Sequence, residues 1–458
     1  MPNNYVLLER FELTANTASV TFDNLPTSGY TDLKVVVSAR AVTDTQSAPL
    51  LLSFNGNTSN LTSRRILGTG GSAISQTGSG NSGIGGVLGN GSDFTANVYG
   101  SGEIYIPNYR SSTFKSISID STTENNASGS YLALTALLWS STAAITSITL
   151  TQEVGNIAAG SSFALYGMAA VGTTPAIAPK ADGGNIIATD GTFWYHAFLA
   201  NGTFTPQVGL TCDYLVVAGG GGGGFQQGGG GGAGGLRSTV TATGGGGALE
   251  SALTVNAQTS YAITVGAGGA GRTTGGAAGA SGTNSTFSTI TSTGGGGGGS
   301  NSSVGLSGGS GGGGSINANA GGTGAANQGR NGGTGDSSVG GGGGGGGANT
   351  AGTNANGNGG VGGNGVTISA FATPTGTGVS NVYAGGGGGG ANSGPGYSPG
   401  AGGSGGGGAG SASTTAAGTG LANTGSGGGG SGQNAGTVYT NAGAGGSGIV
   451  IIRYPITA

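Results

Sequence analysis

Nine unbroken runs of four or more glycines constrain this chain more than anything else in it: Gly219–Gly224, Gly228–Gly232, Gly244–Gly247, Gly294–Gly299, Gly311–Gly314, Gly340–Gly347, Gly385–Gly390, Gly405–Gly408 and Gly427–Gly430. A glycine run has no side chain to bury. Fixing each residue still costs about 1–2 kcal/mol of backbone entropy, and glycine more than most. Such runs are therefore either coil or segments held by backbone hydrogen bonds alone. Collagen is excluded, because it needs glycine at every third position with abundant proline, and only 11 prolines are present. Calcium-binding β-helix repeats are excluded as well, since they require an aspartate in each repeat. Between Asp213 and Arg453 the only aspartates are Asp213 and Asp336.

The runs are confined to one part of the chain. Of 115 glycines, 19 lie up to Asp182 and 96 in Gly183–Ala458, whereas 20 of the 27 charged residues precede Thr205. This shift in composition divides the chain into a domain at 1–172, a short proline-containing linker at 173–182 and a glycine-rich domain at 183–458. With Lys+Arg 12 and Asp+Glu 15, no basic stripe exists to neutralise a phosphate backbone, so nucleic acid is not an expected partner. No apolar stretch reaches the length of a membrane span, and Met1–Arg10 lacks the apolar run of a signal peptide. One cysteine, Cys212, allows no internal disulfide framework.

The first domain reads as strands at short spacing. Tyr5–Leu13, Ser19–Phe22, Leu33–Ala39, Leu50–Phe54, Ala96–Ile106, Phe114–Ile119, Tyr131–Trp139, Ile145–Thr151 and Phe163–Ala170 are rich in β-branched and apolar residues. Turn signals such as Asn55–Gly56, Asn90–Gly91 and Ser128–Gly129 separate them. The expected fold class is all-β: an antiparallel sandwich, jelly-roll-like, with Gly68–Gly91 as a long loop. Arg64–Arg65 reads as a solvated strand end.

In the second domain, Leu236–Thr243, Leu249–Val265, Asn284–Thr293, Val366–Phe371 and Val379–Ala384 are strand-like islands between the runs. Two features argue against a flexible linker. No folded domain follows the region, and its closing segment, Ile449–Tyr454, is strongly apolar and would be an exposed edge if left unpaired. The opening segment Tyr214–Ala218 is its best partner. The expectation is a lattice of polyproline-II-like glycine rods, packed closely enough to hydrogen-bond sideways because no side chain holds them apart.

Several of these segments carry a resemblance. Asp213–Gly224 (DYLVVAGGGGGG), Tyr261–Gly269 (YAITVGAGG), Asn284–Gly299 (NSTFSTITSTGGGGGG) and Gly446–Tyr454 (GSGIVIIRY) resemble the glycine-rich domain of bacteriophage tail-fibre and other virion proteins, marine or cyanophage-like ones especially. The runs are also similar, more loosely, to polyglycine-sandwich phage adhesins. In the first domain, Phe22–Pro26 (FDNLP), Tyr30–Arg40 (YTDLKVVVSAR), Ser53–Thr58 (SFNGNT), Ala144–Leu150 (AITSITL) and Gly160–Gly167 (GSSFALYG) are similar to a strand-rich module of marine-phage structural proteins. The resemblance implies a virion component, a homotrimer with other tail proteins as partners, that contacts a host surface glycan or outer-membrane protein. A capsid-surface head fibre or decoration protein is the alternative. An ice-binding or silk-like structural protein is a third class.

Signs of catalysis are sparse, and neither an enzyme nor a cofactor or metal site is expected. The one histidine, His196, sits in an aromatic strand (FWYHAF) and reads as a packing residue; with Cys212 it would form a Cys–His pair that lacks an identifiable orienting group. GxGxxG matches arise by chance in such a sequence, and no lysine follows glycine as a Walker A loop requires. The carboxylates of the first domain, Glu9, Glu12, Asp93, Glu103, Asp120, Glu124 and Glu153, read as scattered and solvent-facing. Neutral amide- and hydroxyl-rich loops with isolated aromatics suit glycans or flat protein surfaces. On that ground the expected receptor-binding residues are Tyr397, Phe225, Arg330, Asn392 and Gln226.

Overall fold

The computed structural model describes residues 5–23, 25–43, 48–80, 83–124, 129–169, 178–337, 340–394, 396–412, 415–433 and 439–457. The chain forms two compact units. The first holds Met1–Pro179 with Asn185–Trp194 and Pro455–Thr457, and the second holds Lys180–Gly184 with Tyr195–Tyr454. The expected linker lies outside the described residues as far as 177, and Lys180–Asp182 already belong to the second unit. Asn185–Trp194, read from composition as glycine-rich domain, belong to the first.

The first unit is built from β1 (Tyr5–Glu12), β2 (Ser19–Phe22), β3 (Tyr30–Ala39), β4 (Ala48–Phe54), β5 (Leu61–Gly68), β6 (Ala73–Ser79), β7 (Val87–Gly89), β8 (Gly100–Ile106), β9 (Lys115–Glu124), β10 (Ser130–Trp139), β11 (Ile148–Gln152) and β12 (Ser162–Ala169). One antiparallel sheet has the order β2-β11-β4-β7 and the other runs β1-β12-β3-β8-β9-β10-β5-β6. Taking the β9–β10 hairpin as an insertion, β2, β11, β4 and β7 face β3, β8, β5 and β6, and the chain changes sheet at nearly every step. That is the two-Greek-key connectivity of a jelly roll. Ile186–Thr189 adds to the free side of β1 through Arg10 and Phe11.

Period-two patterning does the sorting. Along β9, every other residue from Lys115 to Thr123 is buried and the intervening ones are exposed. Val35, Val37, Ile104, Ile119 and Leu137 of the large sheet meet Phe22, Leu52, Phe54, Ile148 and Leu150 of the small one. Each such side chain contributes about 1.5–3 kcal/mol when buried.

Three expectations are corrected here. The presumed loop Gly68–Gly91 contains β6 and β7. Its serines and glycines hid a strand that pairs with β5 along its length. Arg64–Arg65 lies in the middle of β5, and Arg65 is 8% exposed with its Nε donating to Gln76 Oε1 at 2.9 Å. Glu9 is 5% exposed rather than solvent-facing. A bulge in β1 between Leu7 and Glu9 shifts the pairing so that Glu9 stands opposite the core residue Leu165.

In the second unit, Leu210–Val217 and Ile449–Pro455 pair antiparallel, with Tyr214 opposite Ile452 and Val216 opposite Val450. Short hairpins at Leu253–Val255, Tyr261–Thr264, Ser285–Phe287 and Ile290–Ser292 flank them. Beyond Val217 the chain enters a polyglycine lattice. Along Gly219–Gly224 each N–H donates to a different neighbour, and every third residue returns to the same one. Gly219 and Gly222 donate to Thr283 and Ala280, Gly220 and Gly223 to Gly446 and Gly443, and Gly221 and Gly224 to Gly232 and Gly229. These three neighbours run antiparallel to the rod. Its carbonyls accept from three parallel neighbours, at Gly295 and Gly298, Gly269 and Arg272, and Gly428 and Ser431. Each rod residue thus satisfies both backbone groups, at 2.8–3.2 Å, with no β-sheet and no side chain involved.

The absent Cβ is what the lattice requires. A methyl group placed on any of Gly219–Gly224 would come closer than 3.0 Å to the backbone of an adjoining rod. Positive φ is not the reason for glycine here, since none of these six has it. Two runs depart from the rod form. Gly245 and Gly246, at φ 64° and 66°, fold into a 3-10 turn, and Gly405 and Gly406, at φ 96° and 101°, belong to a tight turn. The strand expected over Val366–Phe371 stops at Thr367 and passes into a helix, Ser369–Thr375, closed by left-handed Gly376.

Candidate functional site

The rods give the second unit two ends. Strands Leu210–Val217 and Ile449–Pro455 enter at one of them, the base. Gly219–Gly224, Gly294–Gly299, Gly311–Gly314, Gly385–Gly390 and Gly427–Gly430 all run away from it, as their registers show. Their loops therefore gather at the opposite end, the tip: Phe225–Gln227, Ser300–Ser303, Ser315–Asn319 and Ala391–Gly394, together with Gln433 and Tyr439.

Four of the five expected receptor-binding residues lie at this tip. Phe225 is half-buried, its N–H donates to Ser300 Oγ at 2.8 Å, and its ring packs on Tyr439 with centroids 5.4 Å apart. Gln226 and Gln227 follow at φ 59° and 49° and make the tight return between two rods. Asn392 bridges to Gln433, which bridges in turn to Tyr439. Tyr397 packs its ring against Gly357 and Gly394. Arg330 is at the base instead. Its N–H donates to Gly347 O and its Nε to Asn349 O, at the far end of the Gly340–Gly347 rod. Sequence separation carries no information about which end a loop occupies, because it depends on the direction of each rod. Tyr439, Gln433, Asn301 and Asn317 belong to the tip and were missed; the available signal was position, since Asn301 and Asn317 each follow within a few residues of a run's end.

The tip is rich in hydroxyls and amides and carries an acid, Asp336, and an arginine, Arg272, whose backbone N–H donates to Gly223 O. Asn317 Nδ2 donates to Ser302 Oγ at 2.7 Å, and Asp336 Oδ2 accepts from Gly357 N–H at 2.6 Å. Rods bonded on six sides hold these short loops, so their side chains are presented from a rigid platform.

The base holds a further set of polar groups. Glu250 accepts from Arg237 Nε at 2.6 Å, Arg237 Nη2 at 2.7 Å and Tyr214 Oη at 2.6 Å. Burial and this carboxylate together push the Tyr214 hydroxyl well above its ordinary range, and the same carboxylate raises Arg237. His196 is fully buried. Its Nδ1 lies 2.6 Å from Gly183 O and its Nε2 3.0 Å from Tyr454 Oη, which accepts from Lys180 N–H at 2.9 Å. A carbonyl can only accept, so Nδ1 carries the proton and Tyr454 donates to Nε2. Burial lowers His196 to about 4, leaving a neutral ring with both nitrogens engaged. Burial also pushes the Cys212 thiol up to about 12, so it stays protonated at neutral pH.

In the first unit a cavity of about 530 Å³ is lined by Leu8, Leu25, Tyr30 and Trp194 with Asp23 and Asp190 at its margin. Asp190 Oδ1 is engaged by the N–H groups of Thr192 and Phe193, both at 2.8 Å. Burial, with Asp23 adding to it, raises Glu9 to about 8. Among the described residues no group of three or more His, Cys, Asp or Glu is placed to hold a metal ion, and no helix is long and apolar enough to cross a membrane.

The rods, their shared direction and the strand pair at the base define a glycine-rich lattice domain. Residues 199–455 match the model of the glycine-rich domain family, and the chain belongs to that family. No curated protein matches it significantly.

Proposed function

We propose that this chain is a structural protein of a bacteriophage virion, a tail fibre or receptor-binding adhesin whose lattice tip contacts the host cell surface. The observation that supports this reading is the gathering of Phe225, Gln226, Asn392, Tyr397 and Tyr439 at the end remote from the paired strands. Aromatic faces among uncharged amides and hydroxyls recognise sugars or flat protein surfaces by stacking and short hydrogen bonds. The ligand class is a surface glycan or the exposed loops of an outer-membrane protein. Other copies of the chain and other tail proteins are its partners within the particle.

The jelly-roll connectivity of the first unit favours a second reading, a head fibre or decoration on the capsid surface, because that architecture builds capsid domains as well as lectins. Fold alone does not decide between them. Copies per particle do: few at the tail, many on the capsid.

The direct test is binding of the labelled full-length chain to a glycan array and to a panel of bacterial cells. Phe225→Ala combined with Tyr439→Ala removes the central aromatic pair and should weaken binding at least about 30-fold, the scale of an interface hot spot. Arg330→Ala, at the base, should leave it unchanged. Binding that survives the tip variant and is lost with Arg330 would sink the assignment of the tip.

A further inference from the structure

The outer face of the large sheet in the first unit carries an apolar ridge that no described part of the chain covers. On β10, Leu132, Leu134 and Leu138 point outward at 64%, 56% and 37% exposure, with exposed Ala136 between them. Ile66, directly opposite Leu134 on β5, is 59% exposed, and Phe114, just before β9, is 57% exposed. Strict alternation places all of them on one face, since Ala133, Thr135 and Leu137 turn inward. Single exposed leucines need no explanation, but a contiguous row across neighbouring strands does.

Charge flanks this ridge asymmetrically. Arg64 stands on the β5 side, opposite Ala136. Asp120 stands on the β9 side, opposite Leu134 on one hand and Glu103 of β8 on the other. Like charges directly across a ladder are unfavourable. Lys34 compensates Glu103 at 2.7 Å, and Asp120 has no cation partner among the described residues.

We infer that this face docks a second copy of the chain, ridge on ridge, about a two-fold axis lying in the contact plane along β10. That operation keeps the strands of the two sheets aligned, the usual geometry for packed sheets. It lays the leucines of one copy on those of the other around the small Ala136. It also exchanges left for right, so Arg64 of each copy meets β9 of its partner, two residues along from Asp120. The same two residues then form the contact twice, as an isologous interface requires. A two-fold axis perpendicular to the strands would place β5 on β5 and Arg64 against Arg64. A partner of other chemistry would have no reason to match both flanks.

Sedimentation velocity of the full chain over a concentration series is the test. The wild type should sediment as a dimer, and Leu134→Glu should weaken association at least about 30-fold while leaving the thermal transition in place, because the side chain is exposed. Arg64→Glu should weaken the dimer, and adding Asp120→Arg to it should restore association. A wild-type monomer, a trimer, or a dimer indifferent to Leu134→Glu would overturn the inference. So would failure of the double charge exchange to recover what Arg64→Glu loses.

Discussion

Asp213 and Arg453 stand directly opposite each other on the first and last strands of the glycine-rich unit, and Arg453 Nη2 and Nε both reach Asp213 Oδ2, at 3.0 and 3.1 Å. Their side chains are 25% and 12% exposed. Thr239 donates to the other carboxylate oxygen at 2.9 Å, and the guanidinium lies 5.3 Å from the Phe371 ring centre. The pair fixes the register in which a lattice with no side chains of its own is closed. Asp213→Asn keeps the shape and removes the charge, and should lower the stability of this unit by about 1–3 kcal/mol in denaturant unfolding. An unchanged midpoint would mean the pair is an ornament of the sheet edge.

Single methyl groups should be ruinous inside the rods. At Gly221 an added Cβ meets the backbone of Gly296 and Gly297, and at Gly230 that of Gly387 and Gly388. Backbone in a packed lattice cannot yield as a side-chain tip can, so Gly221→Ala should cost about 3 kcal/mol or more. Gly209→Ala, whose methyl makes only an ordinary contact with Val255 O at 3.8 Å, is the control and should stay near the wild type. Calorimetry of the two variants separates the outcomes, and equal stabilities would contradict close rod packing.

Lys115 is 1% exposed, yet its ammonium donates to the carbonyls of Ser111 at 2.8 Å, of Ser141 at 3.3 Å and of Ala143, and sits 5.2 Å from the Trp139 ring centre. Burial lowers its pKa. Lys115→Met retains the volume but strands three carbonyls, and should destabilise the first unit by about 2–4 kcal/mol. Chemical denaturation followed by Trp139 fluorescence reads this directly.

The two units should respond to pH in opposite directions. Glu9 titrates near 8 when folded, against 4.5 for a free carboxyl. Between those values the native state holds a proton that the unfolded chain has lost. The stability that Glu9 contributes to the first unit is therefore fully present below 4.5 and is lost as pH rises to about 8, by up to ~1.4 kcal/mol per pH unit. His196 titrates near 4 when folded, against 6.5 when free. There the unfolded chain takes the proton first, so the stability that a neutral His196 contributes to the second unit is fully present above 6.5 and is lost as pH drops toward 4. Calorimetry at pH 5, 7 and 8.5 should show two transitions shifting in opposite directions, and Glu9→Gln should flatten the first. Transitions that move together would refute the assignment.

The lattice was legible because glycine runs leave so few physical options. Once coil is set aside, only rods bonded through their backbones satisfy every N–H and C=O. Pairing of the segments Tyr214–Ala218 and Ile449–Tyr454 was legible because an apolar closing strand left unpaired would be an exposed edge, whereas the register that sets Tyr214 opposite Ile452 was not. The strand β6 was not legible, since Ser75, Gln76 and Thr77 are all polar and present no apolar alternation. Glu9 was hidden by a bulge, and a bulge reverses which face a residue takes without any mark in composition. Arg330 was read as a binding residue because arginine is favoured as an interface anchor, and its position at the base was not legible, since the end to which a loop belongs is set by rod direction.

Hydrogen exchange of the full chain, read by mass spectrometry over peptides spanning Gly219–Gly232 and Gly340–Gly347, tests the central claim most directly. Each of these amides from Gly219 to Gly224 is bonded to a neighbouring rod, so the peptides should exchange only on opening of the whole unit, as slowly as those of Leu210–Val217 and Ile449–Pro455. Exchange at the rate of free glycine peptides, with those two strands still protected, would show that the runs are coil and that no lattice presents the tip.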